Sequence, residues 1–452
     1  MGKLFGTDGI RGEANVQLTP ELAFKIGRIA AHLLKKQTSS SSSSGTFLIA
    51  RDTRLSGEML EGALSAGIVS AGISVRLLGI APTPAVAYLT RHFKALGSVV
   101  ISASHNPYPD NGIKFFDARG FKLSEEQEDE IEKLYFSNSD NIERPAGPGI
   151  GRVYYHNHNA GALDHYLAYL KKLAPELKGI SLVLDCAHGA LSYLAPALMD
   201  SLGANVKVIH NAPNGVNINH QCGSTSTKIL RDEVLKQKAD LGLAFDGDGD
   251  RLIAIDEKGR EVDGDAIMAI CAYRQLKKGK LPHKTLVATV LSNGGLEIAG
   301  RRLGFFVQRT GVGDRKVLEA MEKGGFSLGG EQSGHIIFRE YHTTGDGLLT
   351  ALQLLEALVG EGKNLSELAA VLPYLPQVQH NCRVNQKKGW EENPRIRQAM
   401  HRVERSLNDN GRLLVRASGT EPVIRIMLEG EDISFLEEAA RELGEIISSE
   451  LS

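Results

Sequence analysis

At 452 residues the chain exceeds what one compact core accommodates, and its length suggests three or four domains. The composition is that of an ordinary globular protein, and a formal charge of −2 at pH 7 gives no electrostatic basis for binding nucleic acid or an acidic membrane surface. No apolar run approaches a membrane span, Gly6 stands where a myristoylation site needs Ser or Thr, and Cys186, Cys222, Cys271 and Cys382 show neither CxxC nor zinc spacing; with no signal peptide, reduced thiols in a cytoplasmic protein are expected.

Near the start, "FGTDGIRG" sets Arg11 between glycines, and the serines from Ser39 to Ser44 read as a surface loop. "TFLIARDTRLSGEMLEGALSAGIVSAGISVRLL" then gives an apolar strand, a polar turn, a helix-period run and a Gly before a second strand. "ISLVLDCAHGALSYLAPALMDSLGANVKVI" and "KTLVATVLSNGGLEIAGRRLGFFVQR" repeat that order, so three βαβ units with Gly at the helix C-cap are expected. Such crossovers imply parallel or mixed sheets covered by helices, and three copies imply three similarly built α/β domains. Pro and Gly in "RPAGPGIG" (144–151), a turn at "DEKGR" (256–260) and the prolines of "LPYLPQ" (372–377) mark the breaks. The tail lacks the repeat and reads as strands followed by a helix.

Five stretches carry chemistry. "VVISASHNPYPDNGIKFF" delivers Ser104 at a strand end before an Asn-Pro turn, with Lys114 on the strand that follows; the turn alone suits a structural role, the rigidly held serine a nucleophilic one. "LGLAFDGDGDRLIAID" alternates Asp246, Asp248 and Asp250 with glycines between two strands. Three carboxylates this close repel one another unless a cation neutralises them, and an all-oxygen set suits Mg²⁺. An EF-hand is excluded because Arg251 falls where its loop needs Gly and a strand follows directly. An aspartyl nucleophile in the same loop, as in some phosphatases, is the competing reading. "GGEQSGH" presents Glu331, Ser333 and His335 on alternate positions: two groups for sugar hydroxyls and one for proton transfer, or else a tight turn with a capping serine. "RTGVGDRKV" (309–317) offers backbone to an anion. In "RASGTEPVIRIMLEG", Ser418, Gly419 and Thr420 lie between Arg416 and Arg425, a phosphate cradle or a solvated hairpin. His188 and His342 are read as turn or core histidines, and Asp346 as a helix N-cap.

"FGTDGIRG", "SASHNPYPDNGIKFF", "DGDGDR", "GEQSGH" and "RASGTEPVIR" occur in this order, and the set resembles the α-D-phosphohexomutase superfamily over the whole chain. Within it, "GVNINHQCGSTS" and "GEQSGH" look most like the phosphoglucosamine mutase family. The six-serine insertion departs from the usual pattern away from every motif. The resemblance implies three similar α/β domains with mixed sheets and a smaller C-terminal α+β domain around a central cleft. The boundaries expected are 1–150 for the phosphoserine-loop domain, 151–255 for the metal-binding domain, 256–370 for the sugar-binding domain and 371–452 for the phosphate-binding domain.

The resemblance further implies interconversion of glucosamine 6-phosphate and glucosamine 1-phosphate through a phosphoserine enzyme and a bisphosphate intermediate, on the route to UDP-N-acetylglucosamine. By motif matching, Ser104 would be the phosphoserine and, with Asp246, Asp248 and Asp250, would bind one Mg²⁺. Arg11, Lys114 and His335 would flank the reacting oxygen, Glu331 and Ser333 would hold sugar hydroxyls, and Arg416, Ser418, Gly419, Thr420 and Arg425 would clamp the phosphate that is not reacting. Gln332, where glucose- and mannose-phosphate relatives commonly carry Met, either senses the C2 substituent or points into the protein and shapes its loop. The partners expected are a small hexosamine phosphate, an activating phosphoryl donor and, as an open option, a second copy in a homodimer, with no nucleic acid or membrane. A mutase for glucose or mannose phosphates is the nearest alternative. A phosphatase using Asp246 would leave Ser104 and the distal clamp without a role, and a non-catalytic binder would have no need to keep the acids and the serine.

Overall fold

The computed structural model describes residues 4–6, 8–37, 45–137, 142–155, 161–407, 411–417 and 422–451; the six serines and Ser418–Gly419–Thr420 lie outside them. The chain forms two compact units, Met1–Val290 with Phe305–Val371, and Leu291–Gly304 with Leu372–Ser452.

The larger unit contains three mixed sheets. The first comprises β1 (Ile10–Glu13), β2 (Thr46–Arg51), β3 (Ser74–Ile80), β4 (Gly97–Ile101), β5 (Asp110–Asp117) and β6 (Val153–Tyr155), in the order β1-β5-β4-β2-β3-β6. The second comprises β7 (Ser181–Asp185), β8 (Asn205–Ile209), β9 (Leu241–Phe245), β10 (Leu252–Asp256) and β11 (Glu261–Val262), in the order β11-β10-β9-β7-β8. The third comprises β12 (Thr285–Thr289), β13 (Phe306–Thr310), β14 (Leu328–Gly330) and β15 (Ile336–Phe338), in the order β13-β12-β14-β15.

One plan recurs in all three. A central strand (β2, β7 or β12) pairs in parallel with the strand of its helical crossover on one side and with a third strand on the other. That third strand (β4, β9 or β14) then turns into an antiparallel partner (β5, β10 or β15). The turns so produced hold Ser104, the three aspartates and "EQSG", so corresponding places in three repeats supply three different chemistries. The crossover glycines act as the sequence predicts: Gly72 and Gly203 follow their helices with φ of +80° and +87°, values that a side chain rarely tolerates.

Burial explains why these segments are strands. All five residues of β4 and of β9 are buried, as continuous apolar runs covered on both faces must be. In β2, Phe47 and Ile49 pack with Leu60, Leu64 and Ile68 of the helix Gly57–Ser70, while Leu48 and Ala50 pack with Val86 and Leu89 on the opposite face. Asp346 caps the helix Gly347–Glu361 by accepting from the Leu349 N–H at 2.9 Å.

In the smaller unit, β16 (Gln377–Arg383), β17 (Arg412–Ala417) and β18 (Val423–Glu429) form an antiparallel sheet in the order β16-β18-β17. Ile424, Ile426 and Leu428 alternate inward against Ile396, Leu443 and Ile447 of its helices. Buried Glu429 pairs with Arg412 at 2.8 Å and accepts the Gly294 N–H at 3.0 Å.

Candidate active site

Ser104 sits just beyond β4, 1 % exposed, with φ of +53°. A left-handed serine is uncommon and persists only where its surroundings over-determine it. Its N–H donates to Ser102 Oγ (2.9 Å), which donates to Asp52 Oδ2 (2.6 Å). The Arg54 guanidinium supplies the rest: Nη2 reaches the carbonyls of Ser104 (3.0 Å) and Asn106 (2.9 Å), Nη1 those of Pro107 (2.5 Å) and Asp110 (2.8 Å), and Nε reaches Asp52 (2.8 Å). Four of the five donor contacts of a buried arginine thus hold one loop, and the fifth fixes Asp52, which anchors Ser102. Asn219 Nδ2 adds bonds to the same Ser104 and Asn106 carbonyls at 2.8 and 3.1 Å.

Ser104 Oγ donates to Asp246 Oδ2 at 2.6 Å. Asp246, Asp248 and Asp250 are buried and converge, each offering an oxygen within 4.8 Å of the others. Burial, reinforced by Asp250 and Asp248, pushes the Asp246 carboxyl well above the usual range. Burial raises the other two as well, joined at Asp248 by Asp250, but Lys114 with the Thr83 and Asp246 hydrogen bonds at Asp248, and His335, Lys114 and Arg251 together at Asp250, lower both and keep them ionised. Asp248 Oδ1 and Asp250 Oδ1 are buried without a hydrogen-bond partner. Orphaned carboxylate oxygens aimed at one place fit a hard divalent cation, so the carboxylates satisfy the chemistry the sequence predicts for them.

Antiparallel pairing of β1 with β5, which sets Arg11 opposite Gly112, brings Arg11 and Lys114 to the same end. A Cβ at Gly112 would meet the Ser102 carbonyl at 2.4 Å and the Arg11 side chain at 3.2 Å. Lys114, 1 % exposed, bridges Asp8 and Asp248, each at 2.9 Å, and Arg11 pairs with Asp8 at 2.5 Å. Lys122 bonds both Asp8 and Asp314, the latter at 2.5 Å, and Asp314 Oδ2 lies 3.8 Å from His335 Nε2. The backbone N–H of Gly345 donates to His335 Nε2 at 3.1 Å, and His335 Nδ1 lies 3.4 Å from Asp250 Oδ2. Burial disfavours the imidazolium, while Asp250 and Asp314 favour it and raise the pKa on balance; where the ring is neutral, the Gly345 amide, which can only donate, selects a bare Nε2 and a proton on Nδ1. His105 Nδ1 is 3.3 Å from Ser104 Oγ, and burial, then Arg251 and Arg11, push its pKa down to about 4, so it is neutral near pH 7.

In the third repeat, Glu331 Oε1 accepts the Gly313 N–H at 3.0 Å; the anion served by that backbone is a carboxylate of the protein. Ser333 Oγ is buried without a hydrogen-bond partner. Gln332 Nε2 donates to Asp263 Oδ2 at 3.2 Å, the carboxylate that caps the helix Gly264–Lys277. Gln332 therefore takes the loop-shaping alternative with its amide nitrogen. The Leu252 N–H donates to the Gly334 carbonyl at 3.1 Å, tying this turn to the strand that leaves the aspartates. In the smaller unit, Arg416 and Arg425 face each other across β17 and β18. Burial, then Arg425, lowers the pKa of Arg416.

The structure thus gathers Ser104, Lys114, the three aspartates and His335 through direct contacts, joins Arg11 to them through Asp8, and links the Glu331–Ser333 turn to them through Gly334 and Leu252. Sequence reasoning missed Arg54, Asp8, Lys122, Asp314 and Asn219. The charges in "ARDTR", at the carboxyl end of a parallel strand, were the signal available for Arg54.

Models of the phosphoglucomutase/phosphomannomutase domains match along the chain: α/β/α domain I at residues 2–141, domain II at 164–259, domain III at 263–374 and the C-terminal domain at 380–445. Among curated proteins, the chain is 50 % identical to phosphoglucosamine mutase of Acetivibrio thermocellus, covering 100 % of each, and 51 % identical to that of Pelotomaculum thermopropionicum, covering 99 % of each. Among solved structures, a phosphoglucomutase/phosphomannomutase family protein of Burkholderia thailandensis matches in fold with TM-score 0.84 at 23 % identity, over 100 % of this chain and 98 % of that one. N-acetylphosphoglucosamine mutase of Aspergillus fumigatus, solved with GlcNAc-6P and magnesium, matches with TM-score 0.70 at 20 % identity over 99 % and 96 %. The chain belongs to the α-D-phosphohexomutase superfamily and, within it, to the phosphoglucosamine mutase family. It is an isomerase that moves a phosphoryl group within a sugar phosphate.

Proposed function

We propose that this enzyme interconverts glucosamine 6-phosphate and glucosamine 1-phosphate, with Ser104 as the phosphoryl carrier. The observation that supports the reading most is Ser104 Oγ, buried and 2.6 Å from Asp246, beside the orphaned oxygens of Asp248 and Asp250. A serine alone is a poor phosphoryl acceptor; one fixed among carboxylates that can hold a cation is suited to transfer, which depends on alignment and charge neutralisation. Mg²⁺ on Asp246, Asp248 and Asp250 would neutralise charge on the phosphoryl oxygens. Arg54 and Asn219 hold the serine in line, and when Ser104 takes a phosphate its hydroxyl proton passes to the departing sugar oxygen.

In the cycle, phosphorylated Ser104 passes its group to the free sugar oxygen, whose proton goes to the departing Ser104 oxygen, and a bisphosphate forms. The bisphosphate turns end for end, and Ser104 takes back the other phosphate. Arg11 and Lys114 balance charge at the reacting end, and His335 orders Asp250 through its Nδ1 proton. Glu331 and Ser333 hold sugar hydroxyls, and Arg416 and Arg425, with Ser418, Gly419 and Thr420, hold the distant phosphate. The first phosphate on Ser104 comes from a donor outside the cycle. The product suits the route to UDP-N-acetylglucosamine, and the location is the cytoplasm. Among the described residues no helix is long and apolar enough to cross a membrane. The test is a coupled assay of kcat/KM on glucosamine, glucose and mannose phosphates: glucosamine phosphate is preferred, and preference for glucose or mannose phosphate overturns the assignment.

A further inference from the structure

At the carboxyl end of the second sheet lies a cluster the mutase reaction does not use. Asp185 ends β7, His210 follows β8 beside it, and Cys222 precedes the turn Gly223–Thr225. A carboxylate oxygen, an imidazole nitrogen and the sulfur all lie within 4.8 Å of one another, with Asp185 and Cys222 fully buried.

Holding the loops together accounts for part of this. Asp185 Oδ1 accepts the Ala187 N–H at 2.9 Å and Oδ2 the Gly223 N–H at 3.0 Å. Each oxygen keeps a further lone pair. Pairing with Asp185 accounts for His210 as well, but neither it nor loop-holding gives a reason for the buried Cys222 sulfur to converge on the same point. His210 Nδ1 lies 3.0 Å from Asp185 Oδ2, and that carboxylate, against the effect of burial, raises the pKa of the imidazole. Ala187, His188, His210, Asn219 and Gln221, none of them glycine, all have φ between +49° and +58° in the two loops that carry these groups. So many left-handed residues show a backbone held in one shape by its surroundings.

We propose that Asp185, His210 and Cys222 form a second cation site, for a borderline divalent ion of the Zn²⁺ type, separate from the three aspartates. One oxygen, one nitrogen and one sulfur match Zn²⁺ and disfavour Mg²⁺, and three protein ligands leave a fourth position for water. Binding exchanges the thiol proton, released to solvent, for the metal–sulfur bond. The segment between His210 and Cys222 also carries Asn219, which bonds the Ser104 carbonyl, so the site is connected to the carrier serine.

The test is titration of the full-length protein with Co²⁺ as a spectroscopic substitute, in excess Mg²⁺ to occupy the carboxylate site. We expect one equivalent to produce a thiolate-to-cobalt charge-transfer band that Zn²⁺ removes by displacement. Cys222→Ser abolishes the band, and His210→Asn, at a partly exposed position where folding is retained, weakens binding on the order of 100-fold. Absence of the band in the wild type overturns the proposal, as does a band that survives Cys222→Ser or an affinity unchanged in His210→Asn.

Discussion

Arg54 Nη2 donates to the Ser104 carbonyl at 3.0 Å, and the same guanidinium closes three further hydrogen bonds to carbonyls of that loop and one to Asp52. Arg54 is a positioning residue: it contacts the backbone of the carrier loop, not its hydroxyl. Lysine keeps the charge but lacks the planar fork. Arg54→Lys should lower kcat about 100-fold, the scale of a misplacement near 1 Å, while KM for sugar phosphate changes little. Arg54→Ala also leaves Asp52 as an unpaired buried carboxylate and should destabilise the fold by about 3–5 kcal/mol. Equal kcat in wild type and Arg54→Lys would remove the positioning role.

Asp248 contributes a buried oxygen without a partner and one bonded by Lys114 and Thr83. Asp248→Asn keeps the volume and removes the charge. The Mg²⁺ concentration for half-maximal activity should rise at least about tenfold, the lower end of what even outer-sphere changes cost a metal site. An unchanged Mg²⁺ dependence, measured by activity or calorimetric titration, would remove the carboxylates as the metal site.

Arg416 and Arg425 stand opposite each other in adjacent strands, a placement from which two guanidinium forks can reach one phosphate. Arg425→Ala should lose about 2 kcal/mol of charge-assisted hydrogen bonding and raise KM on the order of 30-fold, with a smaller fall in kcat. Steady-state kinetics unchanged in both parameters would leave the pair a structural feature of the sheet.

Gln332 spends its amide nitrogen on Asp263. Gln332→Met should therefore cost about 1 kcal/mol of stability and leave the ratio of kcat/KM for glucosamine over glucose phosphate as it was. A Met variant that loses the ratio would assign Gln332 a direct contact with the C2 substituent.

The sequence displays what periodicity and glycine punctuation encode. Buried strands such as "VVIS" and the glycines after crossover helices announce the repeats, and "DGDGD" announces crowded carboxylates. What it hides is contact between distant segments. Arg54 bonds backbone carbonyls, which every residue possesses, so no residue type at the other end marks the contact. Asp8, Lys122 and Asp314 meet only because β1 pairs with β5 and the first and third repeats come together. Whether Gln332 faces substrate or Asp263 depends on one side-chain rotation. Cysteine spacing is equally blind to a cluster whose other members are Asp185 and His210.

The central claim is that Ser104 carries the phosphoryl group. Intact-mass analysis with fragment mapping, after incubation with glucosamine 1,6-bisphosphate and removal of the sugar, tests it most directly. The account predicts one phosphate per chain on Ser104 in the wild type, transferred to added glucosamine 6-phosphate in a single turnover. It predicts none in Ser104→Ala, which should retain the fold and lose mutase activity. A phosphate mapped to Asp246, or near-normal turnover by Ser104→Ala, would contradict it.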